Sequence, residues 1–286
     1  MFLSVALCTY NGEFFLEQQL NSIFEQTILV NEIVICDDGS SDKTRDLLKT
    51  YEKKFPNIIK LLINDVTLGT IKNFEKAISL TNGDLIFLAD QDDVWHKDKV
   101  EIMVNFFQEN INCKLLFTDG DLIDEIGGNL KATLWEKWNF RADMQNKWEN
   151  NENAFKDLVV NNNKITGATV CFHSSLKEYI LPIEIPNGYW HDSWLGLHAA
   201  ANGGLMFLEK NLIKYRIHKN QQVGISNNVN DIVSINANKQ FITKETYFKK
   251  IIKIYPALRK NVPLTPKSNI KKIILKIKNY LKSFSN

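Results

Sequence analysis

The stretch DLIFLADQDDVW, residues 84–95, places three carboxylates directly after an apolar run. The letters LIFLA are short and continuously apolar, which is typical of a strand buried on both faces of a sheet. Asp90, Asp92 and Asp93 then stand in an open loop, where neighbouring hard oxygen donors suit Mg²⁺ or Mn²⁺. An acidic turn that caps the following helix would also explain these residues. The order of strand, carboxylates and helix favours the metal-binding interpretation.

Strand and helix patterns alternate on both sides of this stretch through the first 120 residues. Strands are predicted at 2–7, 32–36, 58–63, 84–89 and 114–118. Apolar residues at helical spacing separate them, for example Leu16, Leu20 and Ile23. This alternation predicts an α/β fold with a Rossmann-like, mostly parallel sheet flanked by helices. Ligands of such sheets bind outside the carboxyl ends of the strands.

Polar side chains follow three of the predicted strands at that edge. Thr9 and Tyr10 come after the first strand, Asp37 and Asp38 after the second, and Asp90 after the fourth. An aromatic ring can stack on a nucleobase, and a carboxylate can accept the N–H of a pyrimidine imide. Taken singly, each pair is better explained by local structure, namely an Asx turn at Asn11-Gly12 and a helix cap at Ser40. Their convergence at one edge favours a nucleotide site.

In the second half of the chain, strands are predicted at 164–173, 205–209 and 211–217. This half also supplies two further candidate site residues. Asp192 stands near the start of a predicted helix over 188–200, as a helix cap or as a general base. His218 follows a short predicted strand, as a structural hydrogen-bond partner or as part of a metal or diphosphate site. The neighbouring Arg216 is a candidate for contact with phosphates.

Charge is distributed unevenly along the 286 residues, although the net charge is only +2. Residues 244–286 hold twelve Lys or Arg and one acid, so residues 1–243 carry a net charge of −9. We therefore expect no nucleic-acid partner for the acidic body. The basic tail interleaves lysines with apolar residues and predicts amphipathic helices. They would lie on an anionic membrane surface or pack on the body with their lysines in solvent.

Several classes of protein are disfavoured by what the sequence lacks. Cys8, Cys36, Cys113 and Cys171 have no CxxC spacing, which predicts buried thiols in a reducing compartment. No apolar run approaches the roughly 18 residues that span a bilayer, and the first residues read as a strand rather than a signal peptide, so we expect a cytoplasmic protein. No GxGxxG, GxxxxGK[ST], HExxH or GxSxG motif is present, which disfavours dinucleotide oxidoreductases, P-loop kinases, zinc proteases and α/β-hydrolases.

The motifs CTYNGEFFLEQQLNSIFEQT, ICDDGSSD, FLADQDDVW, TGATVCF, HDSWLGL and YRIHKN occur in that order. Together they resemble family 2 glycosyltransferases of the GT-A fold, and most closely the bacterial rhamnosyltransferase-like branch. The resemblance implies one glycosyltransferase domain over residues 1–218, divided into a nucleotide-binding half (1–120) and an acceptor half (121–218). Residues 219–243 are then expected to form a loop, and 244–286 a basic helical tail.

The resemblance also implies roles for residues of the nucleotide-binding half. Thr9, Tyr10 and Asp38 match positions that hold a uridine or thymidine base. Lys72 loosely matches a basic residue that contacts the diphosphate in some members. Asp90 matches the first acidic position of the DxD motif, near the ribose and the metal.

Three further roles follow from the same resemblance. Asp92 matches the metal-binding carboxylate, and His218 matches a residue that often lies near the metal or the diphosphate. Asp192 matches the general base. Five tryptophans flank the expected acceptor side, where sugars stack on indole rings: Trp135, Trp138, Trp148, Trp190 and Trp194.

The activity implied is inverting transfer of one sugar, dependent on Mn²⁺ or Mg²⁺. The donor would be dTDP-rhamnose or a UDP-hexose. The acceptor would be a hydroxyl of a glycan, expected to be lipid-linked, in bacterial surface polysaccharide (O-antigen or capsule) synthesis. The QxxRW motif and membrane helices of the processive synthases are missing, which favours addition of a single sugar. The basic tail would supply peripheral contact with the anionic inner face of the plasma membrane. The alternative is a non-catalytic nucleotide-sugar-binding or scaffolding relative.

Overall fold

The computed structural model describes residues 1–219, 221 and 242–263. Over these residues, nine strands form one sheet with helices packed against it. The strands are β1 (Leu3–Thr9), β2 (Glu32–Asp37), β3 (Ile59–Ile63), β4 (Leu85–Ala89), β5 (Val94–Trp95), β6 (Leu115–Ile123), β7 (Asn129–Thr133), β8 (Cys171–His173) and β9 (Leu205–Arg216). The helices are α1 (Leu16–Phe24), α2 (Thr44–Lys54), α3 (Thr70–Leu80), α4 (Lys99–Glu109), α5 (Leu134–Lys137), α6 (Ala142–Trp148), α7 (Asn151–Val159), α8 (Lys177–Ile180), α9 (His191–Ala201) and α10 (Lys244–Ile254).

The strand order explains how one sheet edge collects the polar loops. The order is β3-β2-β1-β4-β8-β6-β9-β5, with β7 paired to β6. Strands β1 to β4 pair in parallel, β8 runs antiparallel to both β4 and β6, and β9 is parallel to β6. Most of the strands therefore point in one direction, and the predicted α/β class is confirmed. The loops after β1, β2 and β4 leave the sheet side by side.

The core accounts for the continuously apolar sequences of β1 and β4. Every residue of β1 and of β4 is buried, since helices cover both faces of the sheet. Helix α3 contributes Phe74 and Ile78, one turn apart, to that core. The four cysteines are buried and free, as predicted.

Two local predictions of strands are wrong. The stretch 164–173 forms strand only at Cys171–His173, because Gly167–Thr169 closes a 3-10 turn in which the Thr169 backbone N–H donates to the carbonyl of Thr166. The stretches 205–209 and 211–217 are one strand, β9, which pairs with β6 across register shifts that begin between Thr118 and Asp119.

The described part of the basic tail packs on the body. Helix α10 begins at Lys244, where the side chain of Thr243 accepts a hydrogen bond from Thr246. Tyr247 and Ile251 are buried, and the Tyr255 hydroxyl lies 2.6 Å from Nδ1 of His198 on α9. Most of the predicted loop over 219–243 lies outside the described residues. The tail beyond residue 263 lies entirely outside them. Among the described helices, none has the length and apolar character to cross a membrane.

Candidate nucleotide and acceptor site

The carboxyl ends of β1, β2 and β4 are adjacent and carry the predicted site residues. The parallel register pairs Thr9 with Asp37, and Leu7 with Ala89, the residue before Asp90. The predicted convergence of these strand ends is therefore present in the fold.

Asp37 stabilises the loop that follows β2. Its carboxylate accepts hydrogen bonds from Thr9 Oγ1 at 2.9 Å, from the Ser40 backbone N–H at 3.0 Å and from the Ser40 hydroxyl. Arg45 pairs with it from α2 at 3.3 Å. Asp37 is fully buried, so this carboxylate holds the loop and the Thr9 side chain in place. Ser40 does not cap α2, which has Lys43 at its N-cap.

Asp38 follows β2, but its carboxylate binds the loop that follows β3. Its carboxylate accepts the backbone N–H groups of Leu68 at 2.7 Å and Gly69 at 2.8 Å, and the Asn64 side-chain amide at 2.9 Å. Gly69 has a φ of 82°, a left-handed conformation that favours glycine. A carboxylate offers about four acceptor positions. Three are filled from within the chain, which leaves one for the N–H of a base.

Tyr10 is fixed by a residue that the sequence analysis missed. The Gln91 side chain accepts from the Tyr10 backbone N–H at 2.8 Å and donates to its carbonyl at 3.0 Å. Gly12 makes room for this contact, since a Cβ there would lie 2.3 Å from Gln91 Oε1. Gln91 thus ties the loop after β1 to the loop of Asp90.

The carboxylates of the DQDD loop crowd one another. Asp92 Oδ2 lies 2.8 Å from His218 Nε2. Burial, together with the charges of Asp92 and Asp192, raises the pKa of Asp90 to about 7. Burial and the charges of Asp92 and Asp90 raise the pKa of Asp93 well above its ordinary value. Helix α4 has Asp98 at its N-cap with no side-chain cap bond, so the capping explanation of this loop is not supported.

These residues fit a divalent cation by their chemistry. Asp92 and His218 already form a close pair, and the Asp90 carboxylate makes no hydrogen bond within the described residues. Within that same part of the chain, no three His, Cys, Asp or Glu side chains form a preformed metal cluster. An open arrangement of this kind suits Mg²⁺ or Mn²⁺, which retain waters and bind phosphate oxygens. Asp90, Asp92 and His218 are thus the residues that would hold the ion.

Arg216 braces this loop instead of facing the predicted phosphates. Its Nε donates to the carbonyl of Asp92 at 2.8 Å, and its Nη2 donates to Gln18 Oε1 at 2.6 Å. Its Nη1 donates to the carbonyls of Asp124 and Glu125. Only 2% of Arg216 is exposed, so nearly all of its donors are used inside the protein.

The contacts of Lys72 are with residues outside the DQDD loop. Its ammonium donates to Glu75 at 2.7 Å and to the carbonyl of Ile183 at 3.0 Å. The diphosphate role of Lys72 stays a prediction.

Asp192 lies in the first turn of α9, and this helix begins at His191, close to the predicted start. The Oδ1 atom of Asp192 accepts from the Ser193 backbone N–H at 2.6 Å and from the Asn163 amide at 3.0 Å. The Gly167 backbone N–H also donates to the Asp192 carboxylate. Burial nevertheless raises the pKa of Asp192 to about 7. A carboxylate with this pKa can accept a proton near neutral pH.

Comparison with known proteins is consistent with this geometry. The model of glycosyl transferase family 2 matches residues 4–172. The chain belongs to that family. It is 38% identical over 112 residues to the dTDP-rhamnosyl transferase RfbG of Shigella flexneri, covering 37% of this chain and 39% of RfbG. It is 32% identical over 125 residues to the putative teichuronic acid biosynthesis glycosyltransferase TuaG of Bacillus subtilis, covering 44% of this chain and 49% of TuaG.

The chain therefore spans less than half the length of these two relatives. The rhamnosyltransferase-like branch predicted from the motifs is supported by the match to RfbG. A crystal structure of S. aureus TarS in complex with UDP-GlcNAc superposes with a TM-score of 0.60 at 18% identity, covering 94% of this chain and 69% of that chain. The superposition confirms the predicted GT-A fold of this chain.

The five tryptophans that are candidates for sugar contact divide into two groups. Trp135, Trp148 and Trp194 are at most 4% exposed and belong to the core. Trp138 and Trp190 are only partly buried. The Trp138 indole donates to Thr166 Oγ1 at 2.9 Å, and Trp190 directly precedes the helix of Asp192. Only these two remain candidates for contact with an acceptor sugar.

Lys99 is the second residue of the site that sequence reasoning missed. It is fully buried beneath the DQDD loop and donates to the carbonyl of Ala168 at 2.7 Å. Burial lowers its pKa to about 7, against the opposing effect of Asp93 and Asp90. No sequence signal distinguishes it from the exposed Lys97 two residues earlier, since both are lysines near a helix start.

Proposed function

We propose that this chain transfers a single sugar from a nucleoside-diphosphate sugar to a hydroxyl of a glycan acceptor, with inversion at the anomeric carbon. The observation that carries the proposal is Asp192. Its half-buried carboxylate has a pKa of about 7 and is close enough to Asp90 for its charge to raise the pKa of that residue. A proton acceptor thus faces a loop suited to a nucleoside diphosphate.

The transfer would proceed by a single displacement. Asp192 accepts the proton of the acceptor hydroxyl as its oxygen attacks the anomeric carbon. The bond between that carbon and the diphosphate oxygen breaks, and the nucleoside diphosphate leaves. Hydrogen bonds from Ser193, Asn163 and Gly167 hold the carboxylate in one orientation for this step.

Divalent-cation dependence is part of the proposal. Asp90, Asp92 and His218 would hold Mn²⁺ or Mg²⁺. When bound, such an ion stabilises the negative charge that develops on the leaving diphosphate. The buried loop around Asp38 would receive the base of UDP or dTDP, using the acceptor position that the chain leaves unfilled.

The donor is proposed to be dTDP-rhamnose or a UDP-hexose. RfbG is by name a dTDP-rhamnosyl transferase, and TarS has been crystallised with UDP-GlcNAc. Both nucleotides carry the same pyrimidine imide edge, so the contacts of Asp38 do not distinguish them. The acceptor would be a lipid-linked glycan of bacterial surface polysaccharide synthesis.

The direct test is calorimetric binding of UDP and of dTDP, each with and without Mn²⁺, followed by turnover of the matching donors. Micromolar binding that requires Mn²⁺, together with release of the nucleotide, is the expected result. The Asp192→Asn variant is expected to bind the nucleotide as the wild type does and to lose turnover. Tight nucleotide binding without turnover of any donor, on any acceptor tried, would favour the scaffolding alternative.

Peripheral contact with an anionic membrane is proposed for the tail beyond residue 263, where Lys271, Lys272 and Lys276 interleave with apolar residues. Truncation after Pro263 tests this contact, because the docked helix α10 stays in place. We expect the truncated protein to lose cosedimentation with vesicles that contain phosphatidylglycerol. Equal cosedimentation of the truncated and full chains would contradict the proposal.

A further inference from the structure

Lys99 occupies a position where a buried cation is unexpected. It is the first residue of α4 and is fully buried. A cation in the first turn faces the positive end of the helix dipole, and removing an ammonium from water is costly. Asp93 and Asp90 act on it with opposite charge, and its ammonium lies 4.0 Å from the centroid of the Trp95 ring. These contacts offset part of that cost.

The hydrogen bond of Lys99 leads to the segment that holds the proposed base. Its Nζ donates at 2.7 Å to the carbonyl of Ala168, in the middle of the 3-10 turn Gly167–Thr169. The backbone N–H of Gly167, the preceding residue, donates to the Asp192 carboxylate. One buried side chain therefore stands between the loop of Asp90 and the turn that holds Asp192.

The turn Gly167–Thr169 also packs tightly against the start of α9. A Cβ at Gly167 would lie 2.9 Å from Nε2 of His191 and 3.9 Å from Cβ of Asp192. The backbone of Gly167 thus sits directly against the start of α9, and a shift of the turn would move Asp192 with it. The carbonyl of Val170, at the other end of the turn, accepts from the Leu88 backbone N–H on β4 at 3.1 Å.

We propose that Lys99 is a positioning residue of the transfer reaction. Its ammonium fixes the turn Gly167–Thr169 against the DQDD loop, and so sets the distance between Asp192 and a donor bound at that loop. This inference rests on the proposed role of Asp192 as the base. It does not require Lys99 to touch substrate, since the residue is fully buried.

The variant that tests the inference is Lys99→Met, which fills a similar volume without a charge or a donor. A displacement of about 1 Å in reacting groups costs on the order of 100-fold in rate. We therefore expect kcat to fall about 100-fold, while the Kd for UDP with Mn²⁺ stays within about threefold, because the loops around Asp38 are not held by Lys99. Lys97→Met, the same change at an exposed position, is the matched control and is expected to leave kcat unchanged.

A double-mutant cycle separates positioning from a purely structural effect. If Lys99 acts through Asp192, Lys99→Met in the Asp192→Asn background should change the residual rate by less than about threefold. A further 100-fold loss in that background, or a near-normal kcat for Lys99→Met alone, would overturn the inference. Near-normal turnover of Asp192→Asn alone would instead contradict the proposed base, so the two failures are distinguishable.

Folding of the variant is checked by its melting temperature before the kinetics are interpreted. If Lys99→Met does not fold, Lys99→Gln takes its place in the same cycle, because glutamine keeps an N–H donor on a shorter, uncharged side chain. Lys99→Gln is then expected to lose kcat with nucleotide affinity retained, and a parallel loss of both would overturn the inference.

Discussion

The Nε2 atom of His218 lies 2.8 Å from Oδ2 of Asp92, although 126 residues separate the two in the chain. The two side chains are 6% and 16% exposed, so the pair is largely shielded from water. Arg216, two residues before His218, donates to the backbone carbonyl of Asp92 and fixes the end of β9 against the loop. The close pair is therefore a consequence of the antiparallel β5–β9 pairing, which sets Val94 opposite Lys214 and so brings the end of β9 to the DQDD loop.

Removal of the imidazole should weaken the proposed metal site. His218→Ala is expected to reduce Mn²⁺-dependent binding of UDP by about 10- to 100-fold, as is typical when a metal ligand or its close partner is lost. Binding of UDP in the absence of metal should not change. Calorimetry of the variant measures both, and His173→Ala, at a partly exposed histidine on β8, provides the control. Equal losses with and without Mn²⁺ would contradict a metal role for His218.

Arg216 is expected to matter for stability more than for substrate contact. Arg216→Met would leave the carbonyls of Asp92, Asp124 and Glu125 without their donor, which should lower the free energy of unfolding by about 3 kcal/mol or more. Urea denaturation of the variant measures this change. Arg259→Met, at an exposed arginine, should change stability by less than about 0.5 kcal/mol. A fully stable Arg216→Met variant with lost diphosphate binding would restore the original phosphate prediction.

The site residues that could be predicted are those whose place follows from the order of strands and helices along the chain. Asp38, Asp90 and Asp192 each follow a strand or begin a helix, and parallel pairing then places strand ends together without further information. Position alone could not show that Asp38 already accepts three hydrogen bonds, since those donors come from the loop around Leu68.

The parts that were missed depend on pairs of distant side chains. Gln91 fits against Tyr10 because Gly12 leaves space, and Lys99 reaches Ala168 across 69 residues. Nothing in the local sequence distinguishes such a residue from a solvent-exposed one. The apolar and β-branched residues of the stretch 164–173 predict a strand, but such residues also suit the 3-10 turn that forms at Gly167–Thr169. That turn is fixed by tertiary contacts, which the local sequence does not show.

Asp192 should reduce the stability of the folded protein at neutral and alkaline pH. Its pKa rises on folding from an ordinary 3.8 to about 7, so the native state holds the proton more tightly than the unfolded chain across that window. The free energy of unfolding therefore falls as the pH rises from about 4 to 7. Asp192→Asn removes this penalty and should be more stable than the wild type by about 1–3 kcal/mol at pH 8.

Thermal melts at pH 4.5 and pH 8 measure this difference. The gain in melting temperature should be present at pH 8 and nearly absent at pH 4.5, where the wild-type carboxyl is protonated in the folded state. Asp65→Asn, at an exposed carboxylate in the loop after β3, is the control and should not become more stable at pH 8. A gain for Asp192→Asn that is equal at both pH values would show that burial of its charge is not the cause.

The rate of transfer should rise with pH as Asp192 ionises. Only the carboxylate form can accept the acceptor proton, so kcat should increase through a pH near 7 and reach a plateau about one pH unit above it. Asp90 has a similarly raised pKa, and its ionisation would act on metal affinity instead. Measuring kcat at saturating donor and Mn²⁺ isolates Asp192, whereas the Kd of Mn²⁺ at each pH reports Asp90. A kcat that is flat between pH 5.5 and pH 8.5, with donor and Mn²⁺ saturating throughout, would exclude Asp192 as a base with this pKa.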